Sequence, residues 1–208
     1  GPGAHPVRRG RLRHDRELRF RSADPPIALE QLTFTVARTR EGLTVSDLRM
    51  RTSRNALKGR GFYSALEGTS SKGSLETEPV DLSELKPILP ALKMHVSPAI
   101  AIDASLKNDT FSARIGLKEK RESSVLDVSV RGLSKIFDAA TRDDAEYSLR
   151  GAAGAFDLAR WSGNSAISVV ANGTFELSGK GMSAAGAAVQ GTFDFGHSTI
   201  RKITLKDF

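Results

Sequence analysis

Several short stretches of this chain hold residues that could do chemistry, and each falls short of what that chemistry needs. Asp194-Phe195-Gly196 spells the triplet with which protein kinases hold magnesium, but no glycine-rich nucleotide loop, strand lysine or catalytic loop accompanies it. The run from Gly173 to Lys180 approaches a phosphate-binding loop. Its spacing is wrong, and Gly181 stands where a serine or threonine must follow the lysine to reach the metal. The four histidines, His5, His14, His95 and His197, are scattered, with none at metal-ligand spacing from another. Asp143-Asp144 adjoins Arg142 in a polar stretch that reads as a loop, and the chain has no cysteine for a thiolate site or a disulfide. No acid, base or nucleophile can be assigned, so the expectation is a non-enzymatic protein without metal or cofactor.

Charge offers one further candidate. The 208 residues carry a formal charge of +7, and residues 1–25 alone hold seven arginines against Asp15, Glu17 and Asp24. Clustered arginines could neutralise nucleic-acid phosphates or anionic lipid headgroups. Yet Leu18 and Phe20 alternate with Glu17, Arg19 and Arg21, and aromatics for base stacking are lacking, so a solvated edge strand or tail is expected and no nucleic acid. Gly1-Pro2 has the look of a tag-cleavage scar, which would make this a fragment whose membrane anchor lies outside it.

The elements that must position any site are strands. From Ile27 onward apolar residues recur with period two: Leu32, Phe34, Val36; then Leu43, Val45, with Leu48 and Met50 on shifted parity, as a bulge near Asp47 would produce. Ile100, Ile102, Ala104 and Leu106 break at Lys107-Asn108-Asp109 and resume as Phe111, Ala113, Ile115 and Leu117, a hairpin signal. Further strands are expected at Leu126, Val128, Val130; Ile167, Val169, Ala171; Phe175, Leu177; Phe193, Phe195; and residues 200–205. About ten to thirteen strands would fit. Glycines within the runs, such as Gly59 and Gly61, favour a curved sheet.

Three short helical segments interrupt this pattern. In DLSELKPILPALK, Asp81 and Glu84 have capping-box spacing and Leu82, Leu85 and Leu89 share a face; Pro87 splits the segment into two turns meeting at Lys86-Pro87. The others are residues 133–140 and 156–161, the last containing Trp161.

This arrangement resembles the AsmA-like superfamily of bacterial envelope proteins, and within it the TamB-like proteins. The likeness is carried by LTVSDLRMRTSRNALKGRGFYSALEG (residues 43–68), VDLSELKPILPALK (80–93) and FDLARWSGNSAISVVANGTFELSGKG (156–181), and covers residues 27–208. Asp81, Leu82, Leu85, Pro87 and Leu89 occupy the places of the family's short helical segment. The family's terminal anchor and great length are missing from this stretch. The resemblance implies a curved β-sheet with an apolar concave side, a periplasmic location behind an inner-membrane anchor, and phospholipid movement between inner and outer membranes. It also implies a partner of the Omp85 barrel type in outer-membrane protein assembly.

The fold expected is therefore all-β: a curved, mostly antiparallel sheet or open barrel, groove-like, with two or three short helices covering its ends. Residues 1–26 form a basic tail or edge strand and residues 27–208 the curved domain, with sub-sections 27–97 and 98–208. Acyl chains would lie against Leu32, Phe34, Val36, Leu43, Val45, Ile100, Ile102, Leu106, Phe111, Ile115, Leu117, Val128, Val130, Ile167, Val169, Phe175, Leu177, Phe193 and Phe195, under a covering helix bearing Leu82, Leu85 and Leu89. The same alternation also fits a closed sandwich core, and each bulge flips parity, so the sequence leaves open which face lines a groove. The alternative function is a protein-binding module that receives a partner strand on an exposed sheet edge.

Overall fold

The computed structural model describes residues 11–12, 20–21, 28–64, 66–85, 96–166, 168–183, 186–196, 198–200 and 203–205. They form one antiparallel sheet of fourteen strands. Ten are long: β3 (Ala28–Arg38), β4 (Gly42–Thr52), β5 (Ala56–Ser64), β6 (Ser71–Thr77), β7 (Ala99–Lys107), β8 (Thr110–Glu119), β9 (Glu122–Arg131), β10 (Glu146–Asp157), β11 (Val169–Lys180) and β12 (Ala188–Phe195). Each pairs with the next in sequence, giving an open, curved meander. At one end the short β1 (Arg11–Leu12) and β2 (Phe20–Arg21) pair with β3; at the other, β13 (Ser198–Ile200) and β14 (Ile203–Leu205) extend the sheet beside β11. Among the described residues no strand joins the two ends, so the sheet is not a barrel. Pairing of β6 with β7 carries it across the boundary between residues 97 and 98.

Local chemistry explains the joints. Asn108 and Asp109 both adopt positive φ, 47° and 60°, which short polar side chains tolerate and a two-residue hairpin of matching twist requires. Asp47, at φ 53°, marks the bulge between Val45 and Leu48, where the β4–β5 register shifts. A second bulge, at Ala155 (φ 54°), shifts β10 against β11; there the Ala155 amide donates to the Asn172 side chain at 2.7 Å.

The second and third helical segments are shorter than the sequence suggests. The first contains a 3-10 turn, Leu82–Leu85; the side chain of Leu85, and all of Leu89 and Ile167, fall outside what is described. The second is one turn, α1 (Leu133–Ile136), and Phe137 behind it is 84% exposed and covers nothing. In the third, Phe156 belongs to β10, and α2 (Leu158–Ser162) begins only after Asp157, whose carboxylate caps the amides of Ala159 and Arg160. Asp157 competes for the helix start because its oxygen satisfies two amides that a helix leaves bare. Strands β6 and β10 went unread in the sequence. Their apolar parities hold Ser71, Gly73 and Thr77, and Gly151 and Ala153, which carry little hydrophobic signal.

Among the described residues no second layer packs on the sheet. The only buried apolar ones among them are Val80, Val96, Ala113, Ala145 and Trp161, and no large side chain is fully enclosed. A sandwich of ten long strands would enclose many, so the alternation does not close on itself as a sandwich core.

Candidate functional site

Cross-strand partners point to the same side of a sheet, so the register sorts every strand residue onto one of two faces. One row can be followed across all ten long strands: Val36, Val45, Gly61, Gly73, Ala104, Ala113, Val128, Leu149, Leu177, Gly191. Its neighbour toward one strand end runs Gly59, Leu75, Ile102, Ile115, Leu126, Gly151, Phe175, Phe193. The row on the other side runs Leu43, Tyr63, then Ser71, Leu106, Phe111, Val130, Tyr147, Gly179, Val189. All three lie on one face.

Apart from Ile167, which lies outside the described residues, the groove residues proposed from sequence fall on that face together. Val36, Val45, Leu43, Ile102, Leu106, Phe111, Ile115, Val128, Val130, Phe175, Leu177 and Phe193 stand in the three rows. Leu32 pairs with Met50, Ile100 with Leu117, and Phe195 with Gly173 of the same face. Phe34 and Val169 follow by strand parity. The bulges at Asp47 and Ala155 restore the parity that a strict alternation would have lost. These side chains are half-buried by their neighbours, and Leu43, Phe193 and Phe195 are exposed.

The middle row is low. Where β5 to β8 cross it, the residues are Gly61, Gly73, Ala104 and Ala113, between the larger rows of Leu75, Ile102 and Ile115 and of Leu106 and Phe111. A side chain added at Gly73 would meet only the Arg60 carbonyl, at 3.7 Å. Further along, aromatic rings lie over glycines: Phe175 over Gly151 and Tyr147 over Gly179. Phe175, Phe193 and Phe195 form a ladder with ring centroids 6.2 and 5.9 Å apart.

The opposite face is charged. Asp103, Arg114, Asp127, Arg150 and Glu176 occupy consecutive register positions on β7 to β11. Arg114 reaches Asp127 at 3.7 Å and Arg150 reaches Glu176 at 2.7 Å. Each such exposed pair contributes at most about 1 kcal/mol, and together they fix this face toward water. Clefts of about 570 and 380 Å³ are bordered by its side chains, among them Arg60, Lys72 and Asp103, and Arg114, Asp127 and Arg150. These hollows form where long charged side chains stand around serines and glycines and, in the larger cleft, beside Phe62.

One strand-end rim is fastened down. α2 returns over the apolar side, where Arg160 forms ion pairs with Glu122 and, at 2.7 Å, with Glu119. Both glutamates are buried, and they face each other across the β8–β9 turn. The Trp161 indole N–H donates to Glu122 at 2.8 Å, and its ring stacks on Phe156 at 4.8 Å. Burial works against the Arg160 charge, but the two carboxylates outweigh it and raise the guanidinium's affinity for its proton. Glu119 Oε2 is buried without a hydrogen bond among the described residues. On the same rim Glu84 accepts from Thr52 and Asn55, tying the 3-10 turn to the β4–β5 turn. The Ser83 hydroxyl, then the Ser83 amide and Arg54, hold the Asp81 carboxyl below the usual carboxylate range. Nothing in sequence reading found Glu119, Glu122 and Arg160 as a set. They look like ordinary turn charges until the hairpin brings them under α2.

Compared with known proteins, the chain matches no family model, no curated protein and no solved structure. The two faces and their rims therefore carry the functional reading.

Proposed function

We propose that this chain is a non-enzymatic lipid-carrying β domain, a periplasmic section of a protein anchored to the inner membrane, whose apolar face holds phospholipid acyl chains in passage between inner and outer membranes. One observation carries the reading. Among the described residues, a face that extends over ten long strands and gathers most of the large apolar side chains has no covering layer beyond α2 at one strand end, while the other face carries charged and small polar side chains. Each methylene laid on such a face gains about 0.8 kcal/mol when fully buried, so a chain of ordinary length repays its own ordering. The low row through Gly61, Gly73, Ala104 and Ala113 runs across the strands, and an acyl chain would lie along it. The periplasmic location and the inner-membrane anchor come from the TamB-like resemblance of residues 27–208.

Native mass spectrometry of the purified chain, followed by lipid extraction, tests this. Co-purifying or accepted phospholipid supports it; a protein that takes up no phospholipid under any loading condition overturns it.

A second reading has its own observation. All eight residues of β12 are exposed, and AVQGTFDF contains neither lysine nor proline to guard its outer edge. Such an edge could receive a strand from an Omp85-type barrel or another assembly partner. It calls for backbone-directed peptide adducts along β12 in place of lipid adducts on the apolar face.

A further inference from the structure

We propose that the second strand-end rim, formed by the β3–β4, β5–β6, β7–β8, β9–β10 and β11–β12 connections, docks on a phospholipid bilayer surface. The inference rests on the lipid reading above and names the membrane contact through which lipid would enter. Three turn tips on this rim present large apolar side chains to water: Leu66 is 49% exposed, Phe137 84% and Met182 48%. Just behind them, where the apolar face reaches the rim, Leu43, Tyr63 and Val189 are exposed as well. Only two other large apolar residues among the described ones are exposed, Phe193 and Phe195 on β12. The tips are built by backbone geometry, since each lies close to a glycine in the left-handed region: Gly68, Gly132 and Gly181. The opposite rim, by contrast, is folded back and fastened by Glu84 and Arg160.

A membrane fits this rim better than a protein does. With strands about 4.8 Å apart, the β5–β6 tip lies about 20 Å along the sheet from the β9–β10 tip, which lies about 10 Å from the β11–β12 tip. Isolated apolar points in a row lack the contiguous packed centre on which protein interfaces depend. A fluid bilayer accepts them singly, and tyrosine beside them suits the headgroup layer.

Asp109, Asp143, Asp144 and Glu146 are engaged by Ser134, Ser183, Lys180 and Arg131. Arg38, Arg40, Lys107, Lys135 and Arg142 make no ion pair among the described residues, and neither do Glu41, Glu67, Asp109, Asp138 and Asp143, so the exposed apolar tips, and not a surplus of charge, carry the contact.

The test is co-flotation of the whole chain with phosphatidylcholine vesicles, with and without phosphatidylglycerol. Leu66→Asp, Phe137→Asp, Met182→Asp and their combination are compared with Ser105→Asp on the charged face, and far-UV circular dichroism confirms that each is folded. Phe137→Asp should lower vesicle binding about tenfold, since a charge replaces an inserted ring, and the triple variant should abolish it. Ser105→Asp should bind as the parent does. Lipid uptake from detergent micelles should survive in the triple variant, because the apolar face is untouched. Tip variants that float like the parent, or that lose micelle uptake in equal measure, overturn the docking role. Loss of vesicle binding in a protein that takes no lipid even from micelles leaves docking standing and removes the lipid-carrying reading instead.

Discussion

At the scale of single residues, the low row and the fastened rim make different predictions. Ala104 lies in the row of small residues and Ser105 on the charged face, one position apart. Ala104→Phe should fill the row and reduce bound phospholipid per chain several-fold in quantitative lipid extraction, whereas Ser105→Phe should leave it unchanged. Removing the Arg160 charge strands two buried glutamates. Because Arg160 is itself about a third exposed, Arg160→Ala should cost about 2 kcal/mol, below the roughly 3–5 kcal/mol of a fully buried broken pair, read as a lowered denaturant midpoint. The Asp143 carboxyl is held below the usual range first by the Ser183 hydroxyl and then by the Ser183 and Met182 amides. Its folded value lies below its unfolded one, so this tie is complete above about pH 4 and is lost as pH falls through the folded value. Hydrogen exchange at the Met182 and Ser183 amides should accelerate across that acid window beyond its intrinsic pH dependence. The groove residues were legible because parity survives in side-chain type. The Arg160 clip was not, since its members lie 38 and 41 positions apart and nothing local marks them as partners.

Elements were legible where they spoke in large side chains. β3, β4, β7, β8 and β9 announce themselves through Leu, Ile, Val and Phe, and the Asp47 bulge and the Asn108-Asp109 hairpin through broken alternation. β10 is quieter. It contributes Gly151 where its neighbours contribute Leu126 and Phe175, because the Phe175 ring from β11 occupies the space above Gly151. A Cβ there would approach that ring to 2.2 Å. Gly151→Ala should therefore displace Phe175 and destabilise the sheet by about 1–3 kcal/mol, as overpacking does, measured by denaturant unfolding. The helix α2 was placed too early by its apolar residues, since Asp157 sets its start through the cap.

The whole molecule is a sheet with two unlike faces and two unlike rims, and its parts differ in what each could meet. The charged face is bound to water by its cross-strand ladder. The apolar face is unfinished as a folded protein, since the described residues cover it only where α2 closes one strand end, and that incompleteness is what the lipid reading explains. Period-two patterning pointed toward strands and toward an apolar face, and interior glycines such as Gly59 and Gly61 toward curvature. The absence of a second layer could not be read from the chain, because an alternating strand looks the same whether it packs on another sheet or lies open. The most direct test puts a photo-crosslinking residue in turn at Arg114, Ile115, Gly116 and Leu117 on β8 and exposes each folded protein to phospholipid. Adducts at 115 and 117 with none at 114 and 116 are the result expected; adducts at all four, on the charged parity alone, or at none would contradict the account.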